Sequence, residues 1–271
     1  MDFELTDEQR QLQDSVAKFV ADNYSFEQRR AVVATDAGYS EDNWTQMAEL
    51  GWLALSIPED NGGIGLGAVE TMILMEEFGK GLVAEPYLAT CVLGAGAIIN
   101  GGSDDLKNAI LPQVAEGSLK MALGFAERQS RYNLADVATT AEASGGGYKL
   151  NGMKGVVFGA PSAGKFVVSA RTSGGARDED GITLFLVDGD AAGVSVRGYP
   201  TADGLRAGEL TLENVEVGAD AVVGPVGGGL AILEKTIDQG IAAIAAEATG
   251  AMSHLNDMTC LLYTSPSPRD W

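Results

Sequence analysis

Cysteine and histidine are almost missing from this chain: Cys91, Cys260 and His254 are all that its 271 residues hold. Two distant cysteines make neither a disulfide framework nor a metal-ligand spacing, and a lone histidine supplies neither a catalytic dyad nor a metal site. Basic residues are scarce as well, 18 against 38 acidic, which leaves a net charge of −20. Nucleic acid is held mainly by neutralising its phosphates, so that class of partner is excluded. An anionic ligand must find a local basic pocket against this field. No apolar run approaches the roughly 20 residues of a membrane-spanning helix. The start, Met1-Asp2-Phe3-Glu4-Leu5, is acidic and lacks the basic head of a secretion signal, so a cytoplasmic location is expected. What remains is an ordinary globular composition, 45% hydrophobic, with a length that fits two domains.

Helical signals dominate the first part. Thr6-Asp7-Glu8-Gln9 has capping-box spacing, and Leu12, Val16, Phe19 and Val20 follow on one helical face. Further helices are expected after Ser25, after Ser40, over 67–79, over 86–100 and from Ser103 to about Gly117. Residues 119–223 change character. Short runs at 121–125, 137–143, 148–150, 155–158, 166–171, 182–187 and 209–212 are broken by Gly145-Gly146-Gly147, Asn151-Gly152, Ser173-Gly174-Gly175 and Asp188-Gly189. Such spacing predicts an antiparallel barrel or sandwich. From Gly227 the helical period returns, with Leu230, Leu233, Ile237, Ile241 and Ile244 as a core-facing stripe. The small residues around it, Ala242 to Gly250, invite a close-packed partner helix that the rest of the chain does not provide by pattern.

The predicted fold class is α+β: an all-α bundle over 1–118, a β domain over 119–223, and the first helix of a truncated C-terminal α bundle over 224–259. Residues 260–271, with Pro266 and Pro268, read as a non-native or disordered tail. The glycines Gly63-Ile64-Gly65-Leu66-Gly67-Ala68 fit a relaxed dinucleotide fingerprint, with Glu85 as a possible ribose acid. That fingerprint needs a strand directly before its turn, and Pro58-Glu59-Asp60-Asn61 stands there instead, so a structural turn is the expected reading and a pyridine-nucleotide enzyme the lesser one.

Four motifs in order carry a resemblance: Pro58-Glu59-x-x-Gly62-Gly63-x-Gly65 with Glu49-Leu50-Gly51-Trp52 before it, Asn151-Gly152-Met153-Lys154, Gly181–Val187 with Val194, and Leu212-Glu213-Asn214-Val215-x-Val217. Together they resemble the acyl-CoA dehydrogenases, over about residues 2–259. The resemblance implies an oxidoreductase in which FAD takes a hydride and a carboxylate base removes the α proton of an acyl-CoA thioester. It also implies an electron-transfer flavoprotein as acceptor and a homo- or hetero-oligomer with another subunit of the family.

Carried over residue by residue, the cofactor-binding segments fall on Phe125, Ala126 and Glu127, and on Val156, Val157 and Phe158. Arg131 and Tyr132 fall on the substrate side. Two departures stand out. Ala126 and the Val156–Phe158 run lack the family's threonines and its tryptophan beside the flavin. The base position aligns with Gly240 or lies beyond the chain, so no catalytic residue is assigned, and the neighbouring acids Glu234, Asp238 and Glu247 read as surface charges. The run from Glu127 to Tyr132 resembles the small-subunit type of heteromeric acyl-CoA dehydrogenase, as in pimeloyl-CoA dehydrogenases, with Arg128 and Arg131 as phosphate or partner contacts or plain surface cations. The resemblance therefore implies a fragment inactive by itself, or a structural subunit that completes a partner's site.

Overall fold

The computed structural model describes residues 4–264, with side chains as far as residue 260. Seven α-helices and eight strands follow one another: α1 (Asp7–Asn23), α2 (Phe26–Val33), α3 (Glu41–Glu49), α4 (Ala68–Gly81), α5 (Ala95–Gly101), α6 (Asp104–Ala115), β1 (Met121–Gly124), β2 (Thr140–Ser144), β3 (Gly147–Phe158), β4 (Lys165–Arg171), β5 (Ile182–Asp188), β6 (Val194–Pro200), β7 (Arg206–Gly218), β8 (Val222–Val223) and α7 (Gly229–Thr264). Residues 260–264 of the expected tail continue α7, and 265–271 lie outside the described residues. No described helix is long and apolar enough to cross a membrane.

The chain forms two compact units. Among the described residues the first gathers 4–31, 67–83 and 241–264. Its helix α1 starts on the capping box read from the sequence: Thr6 Oγ1 accepts from Gln9 N at 3.2 Å and Gln9 Oε1 accepts from Thr6 N at 3.0 Å. Val16, Phe19 and Val20 are buried, and Gln9 and Gln13 donate to Glu70 and Glu77 of α4. Helix α4 meets α7 backbone to backbone. A Cβ at Gly79 would sit 1.9 Å from the Glu247 carbonyl oxygen, and one at Gly250 would sit 1.8 Å from that of Glu76.

This crossing corrects the expectation that the small residues of α7 await a helix from outside. Some of them lie on the buried face of α7: Gly240, Ala243, Ala246 and Gly250 are buried with Leu233 and Thr236, while Ala242, Ala245, Ala248, Ile241 and Ile244 are exposed. Helices can approach this closely only where side chains vanish, so the partner was concealed in α4 by Gly79. Met252, Leu255 and Met258 extend an exposed apolar row along the other side.

The second unit holds residues 32–66 and 84–240. Residues 57–66 are a tight turn folded back on 54–57, with Gly65 N donating to Ile57 O at 2.8 Å and Leu66 N to Leu55 O at 2.8 Å. A Cβ at Gly63 would meet the Ile57 carbonyl oxygen at 1.9 Å, so glycine is required by the close approach. A 3-10 turn (Glu59–Asn61) precedes these glycines rather than a strand, which removes the dinucleotide reading. Glu85 accepts instead from Ser40 N, at the cap of α3. The helix expected over 86–100 is a π-helix over Leu88–Gly94 that becomes α5. Thr90 Oγ1 both accepts from Met121 N and donates to Met121 O, each at 3.2 Å, which ties this wide turn to β1.

The eight strands form one sheet in the order β6-β7-β3-β2-β4-β5-β8, with β1 beside β4. Most pairs are antiparallel, but β1 and β4 run parallel and β2 touches β4 in the same sense. The expected antiparallel barrel is therefore an open, mixed sheet. Hairpin β2–β3 turns through Gly145 and Gly146 at φ 58° and 88°, the two positive values that a two-residue type I′ loop demands. Strand β3 absorbs both runs expected at 148–150 and 155–158 and pairs with β2 and β7. Leu150, Val157, Phe166, Val168, Phe185, Val187, Leu210 and Val215 meet in its core. Strand β6 went unread because it lies at the sheet edge, has little buried surface and ends on Pro200.

Two outcomes follow. Gly250→Ala places a methyl group against the Glu76 backbone and lowers stability by about 1–3 kcal/mol, measured by urea unfolding; a gain of about 1 kcal/mol, as for an open helical position, would contradict the crossing. Burial raises the Glu85 carboxyl to about 7, against the pull of hydrogen bonds from its own, Ser40 and Ala84 backbone. The folded chain then holds a proton that the unfolded chain has lost, so this stability is complete below about pH 4.3 and is lost as pH rises through about 7. Thermal melts should show that decline in the wild type and not in Glu85→Gln; equal slopes would refute it.

Candidate cofactor-binding site

Strand β1 delivers Phe125 and Ala126 to a half-buried position and Glu127 to a buried one. The Glu127 carboxylate is saturated. Its Oε1 accepts from Lys154 Nζ at 2.6 Å, Thr139 Oγ1 at 2.7 Å and Thr139 N at 3.0 Å. Its Oε2 accepts from Gln129 Nε2 at 2.7 Å and Ala138 N at 2.8 Å. Lys154 Nζ also donates to Ser169 Oγ at 3.1 Å, and its side chain has no exposure. Ser130 Oγ closes the turn by accepting from Glu127 N and donating to Glu127 O. Burial alone would push the Glu127 carboxyl up, but the Lys154 charge and the bonds from Lys154, Gln129 and Thr139 outweigh it and hold the group at about 2. Burial brings the Lys154 ammonium below its ordinary value, with Glu127 opposing.

Beside this pair, β3 carries an extra residue. Lys154 pairs with Leu210 and Val157 with Gly208, so three steps on β3 face two on β7. One inserted residue inverts the alternation of faces, which lets Leu150 and Val157 share a core although they stand seven positions apart, an odd step that would otherwise point them to opposite faces. The strain collects at Val156, whose φ is 47°; a β-branched residue in the left-handed region is a genuine outlier. Gly155 N donates to Ala126 O at 2.9 Å, and nothing lies within 4 Å of where a Gly155 Cβ would stand. Val156 and Phe158 are exposed while Val157 is buried.

The Gly155–Ala126 backbone bond thus brings Phe125, Ala126 and Glu127 beside Val156–Phe158, with open space where a Gly155 side chain would stand. No side-chain hydroxyl stands at Ala126, Val156, Val157 or Phe158. Arg131 and Tyr132 project instead from the exposed turn after Ser130, Arg131 at φ 51° and Tyr132 wholly exposed. Gly240 is buried, and a Cβ there would meet Leu93 Cδ2 at 2.7 Å, so a larger residue could enter only if Leu93 moved. Glu234, Asp238 and His254 are exposed. Burial raises the Cys91 thiol far out of the reactive range. Among the described residues no cluster of three or more His, Cys, Asp or Glu could hold a metal. Sequence reasoning had not connected Lys154 with Glu127; the usable signal was a lysine inside a strand whose neighbours build the core.

Comparison with known proteins agrees with this architecture. The family model described as acyl-CoA dehydrogenase, N-terminal domain, matches residues 6–118, and the middle-domain model of the same family matches residues 122–215. Mitochondrial isovaleryl-CoA dehydrogenase of Pongo abelii is 29% identical over 261 residues, covering 94% of this chain and 62% of that protein. The chain thus spans about three fifths of the length of such curated relatives. A structure described as the Tcur3481–Tcur3483 steroid ACAD, in a variant form, superposes with a TM-score of 0.83 at 31% identity, covering 96% of this chain and 68% of that one. The ChsE4–ChsE5 complex from Mycobacterium tuberculosis superposes with a TM-score of 0.87 at 25% identity, covering 99% and 70%.

The ion pair gives a pH signature opposite to that of Glu85. A carboxyl held below its unfolded value contributes stability that is complete above about pH 4.3 and is lost as pH falls to about 2. Glu127→Gln should remove that acid limb and, by stranding the Lys154 charge, cost about 3–5 kcal/mol at neutral pH. Calorimetric melts across the acid range check this; an unchanged limb in the variant would contradict it.

Proposed function

The chain belongs to the acyl-CoA dehydrogenase family, and from that premise we propose that it takes part in FAD-dependent α,β-dehydrogenation of an acyl-CoA as one subunit of an oligomer. The observation that carries the reading is the bonded pair of segments at Ala126 and Gly155–Phe158, open at Gly155 and lying beside the buried Glu127–Lys154 pair. Phe125, Ala126 and Val156–Phe158 would hold the isoalloxazine edge by backbone groups and apolar contact. A flavin bound there supplies the hydride acceptor of the reaction. Arg131 and Tyr132 stand on the acyl-CoA side, where the guanidinium offers the local positive charge that an anionic thioester needs from so acidic a chain.

The chain brings no carboxylate base to the position that matches the family's motif, because Gly240 packs on Leu93 there. The base therefore comes from a second, different chain, as in the small-subunit type, or from the portion of the relatives' length that this chain does not match. In the layout we propose, residues 1–118 and 119–223 build the cofactor side and residues 224–259 begin the helices that meet the partner. The exposed row of Ile241, Ile244, Met252 and Leu255 supports such an assembly. An electron-transfer flavoprotein is the proposed acceptor, and a soluble cytoplasmic setting the proposed location.

A second reading is favoured by the same glycine and by the missing hydroxyls: a non-catalytic subunit that shapes a partner's flavin site. Anaerobic addition of saturated acyl-CoA thioesters to the FAD-loaded chain decides this in part. The flavin should stay oxidised with the wild-type chain and bleach with the double variant Leu93→Ala, Gly240→Glu, which supplies a carboxylate and the room for it. Bleaching by the wild type alone would contradict the missing base. A chain that takes up no FAD would contradict the flavin reading, and FAD uptake without bleaching in the double variant would favour the structural subunit.

A further inference from the structure

The flavin reading uses the strip but leaves open why two full charges are buried directly against it. A buried ion pair is a poor source of net stability, since desolvation offsets most of the attraction, and apolar replacements of such pairs are often neutral or better. The Glu127–Lys154 pair nonetheless gathers five bonds on one carboxylate, from Gln129, Ala138, Thr139 and Lys154, and fixes Lys154 to Ser169 of β4 as well.

Its place in the chain explains the investment. Glu127 follows Ala126 and Lys154 precedes Gly155, and the Gly155 amide donates to the Ala126 carbonyl at 2.9 Å. Ion pair and backbone bond therefore close one ring across the end of β1 and the middle of β3. The next residue is Val156, in the left-handed region at φ 47°. Strain of that kind persists only where the surroundings over-determine it, and it concentrates at ligand clamps. We propose that Glu127 and Lys154 are a positioning pair: they clamp Ala126 to Gly155, hold Val156 in its strained conformation, and so present the 155–158 strip to the flavin ring. This rests on the flavin reading above.

The test uses the full chain with three variants. Lys154→Met strands Glu127; Glu127→Gln with Lys154→Met removes both charges and leaves no orphan; Lys149→Met, also on β3, breaks the surface pair of Lys149 with Glu216 of β7, 3.7 Å apart, as a control. Hydrogen exchange is followed at Gly155, Val156 and Val157 against Phe166–Val168 of β4, and FAD binding is followed by quenching of flavin fluorescence. In the double variant, exchange at 155–157 should rise about tenfold or more while 166–168 stay as in the wild type. The Kd for FAD should rise about tenfold or more, and the visible flavin band should lose its fine structure. Lys149→Met should change none of these. Unaltered exchange at 155–157 in the double variant would overturn the proposal, as would acceleration only in step with β4, because the pair would then be ordinary ballast. A wild-type chain that binds no FAD would remove the flavin reading, and the exchange comparison alone would then uphold or overturn the clamp.

Discussion

Two opposite charges without water around them, Glu127 and Lys154, set the terms for the β layer. Each is tolerable only because the other is 2.6 Å away and because neighbouring donors and acceptors fill the remaining valences. That requirement fixes the end of β1, the entry to β2 through Ala138 and Thr139, the middle of β3 and one residue of β4 in a single arrangement. It is a constraint of uniqueness more than of strength. An apolar core would have held these strands together, but it would not have specified where the bulge falls.

The bulge decides which side chains of this part of the sheet face outward. By inserting one residue it sends Val157 inward beside Leu150 and leaves Val156 and Phe158 outside. The result is a pair of exposed apolar side chains beside the open space at Gly155, which is where the proposal puts the flavin ring. Opposite chemistry governs α7. There the side chains shrink to glycine and alanine so that Gly250 lies against the Glu76 carbonyl and Gly240 against Leu93. The packing that makes α7 fit its own chain is also what leaves no room for a base at Gly240.

Much of the helical part was legible because its signals are local. Thr6 and Gln9, Ser40 and Ser103 cap helices as their spacing foretold, and the 57–67 glycines form a turn because the prolyl-acidic stretch before them forbids a strand. The sheet was legible as strands but not as a sheet. The parallel β1–β4 pairing and the open order depend on long-range contacts that alternation does not encode. The stripe on α7 held at Leu233 and failed at Ile241 and Ile244: large apolar residues usually mark the buried face, but from Gly240 onward the small ones do. The π-helix at Leu88–Gly94 carries no pattern distinct from an α-helix, and its cause is tertiary, the bond of Thr90 to Met121. The candidate positions 125–127 and 156–158 came from the motifs alone, whereas the pairing of Glu127 with Lys154 needed the fold to bring residues 27 apart into contact.

The central claim is that the strip at Ala126 and Gly155–Phe158, backed by the buried pair, is where an isoalloxazine ring rests. A crystal structure of the chain grown with FAD tests it most directly. The account requires the ring to lie along Val156–Phe158 with Lys154 still closed on Glu127; a ring bound elsewhere, or a Lys154 ammonium turned out to solvent, would contradict it.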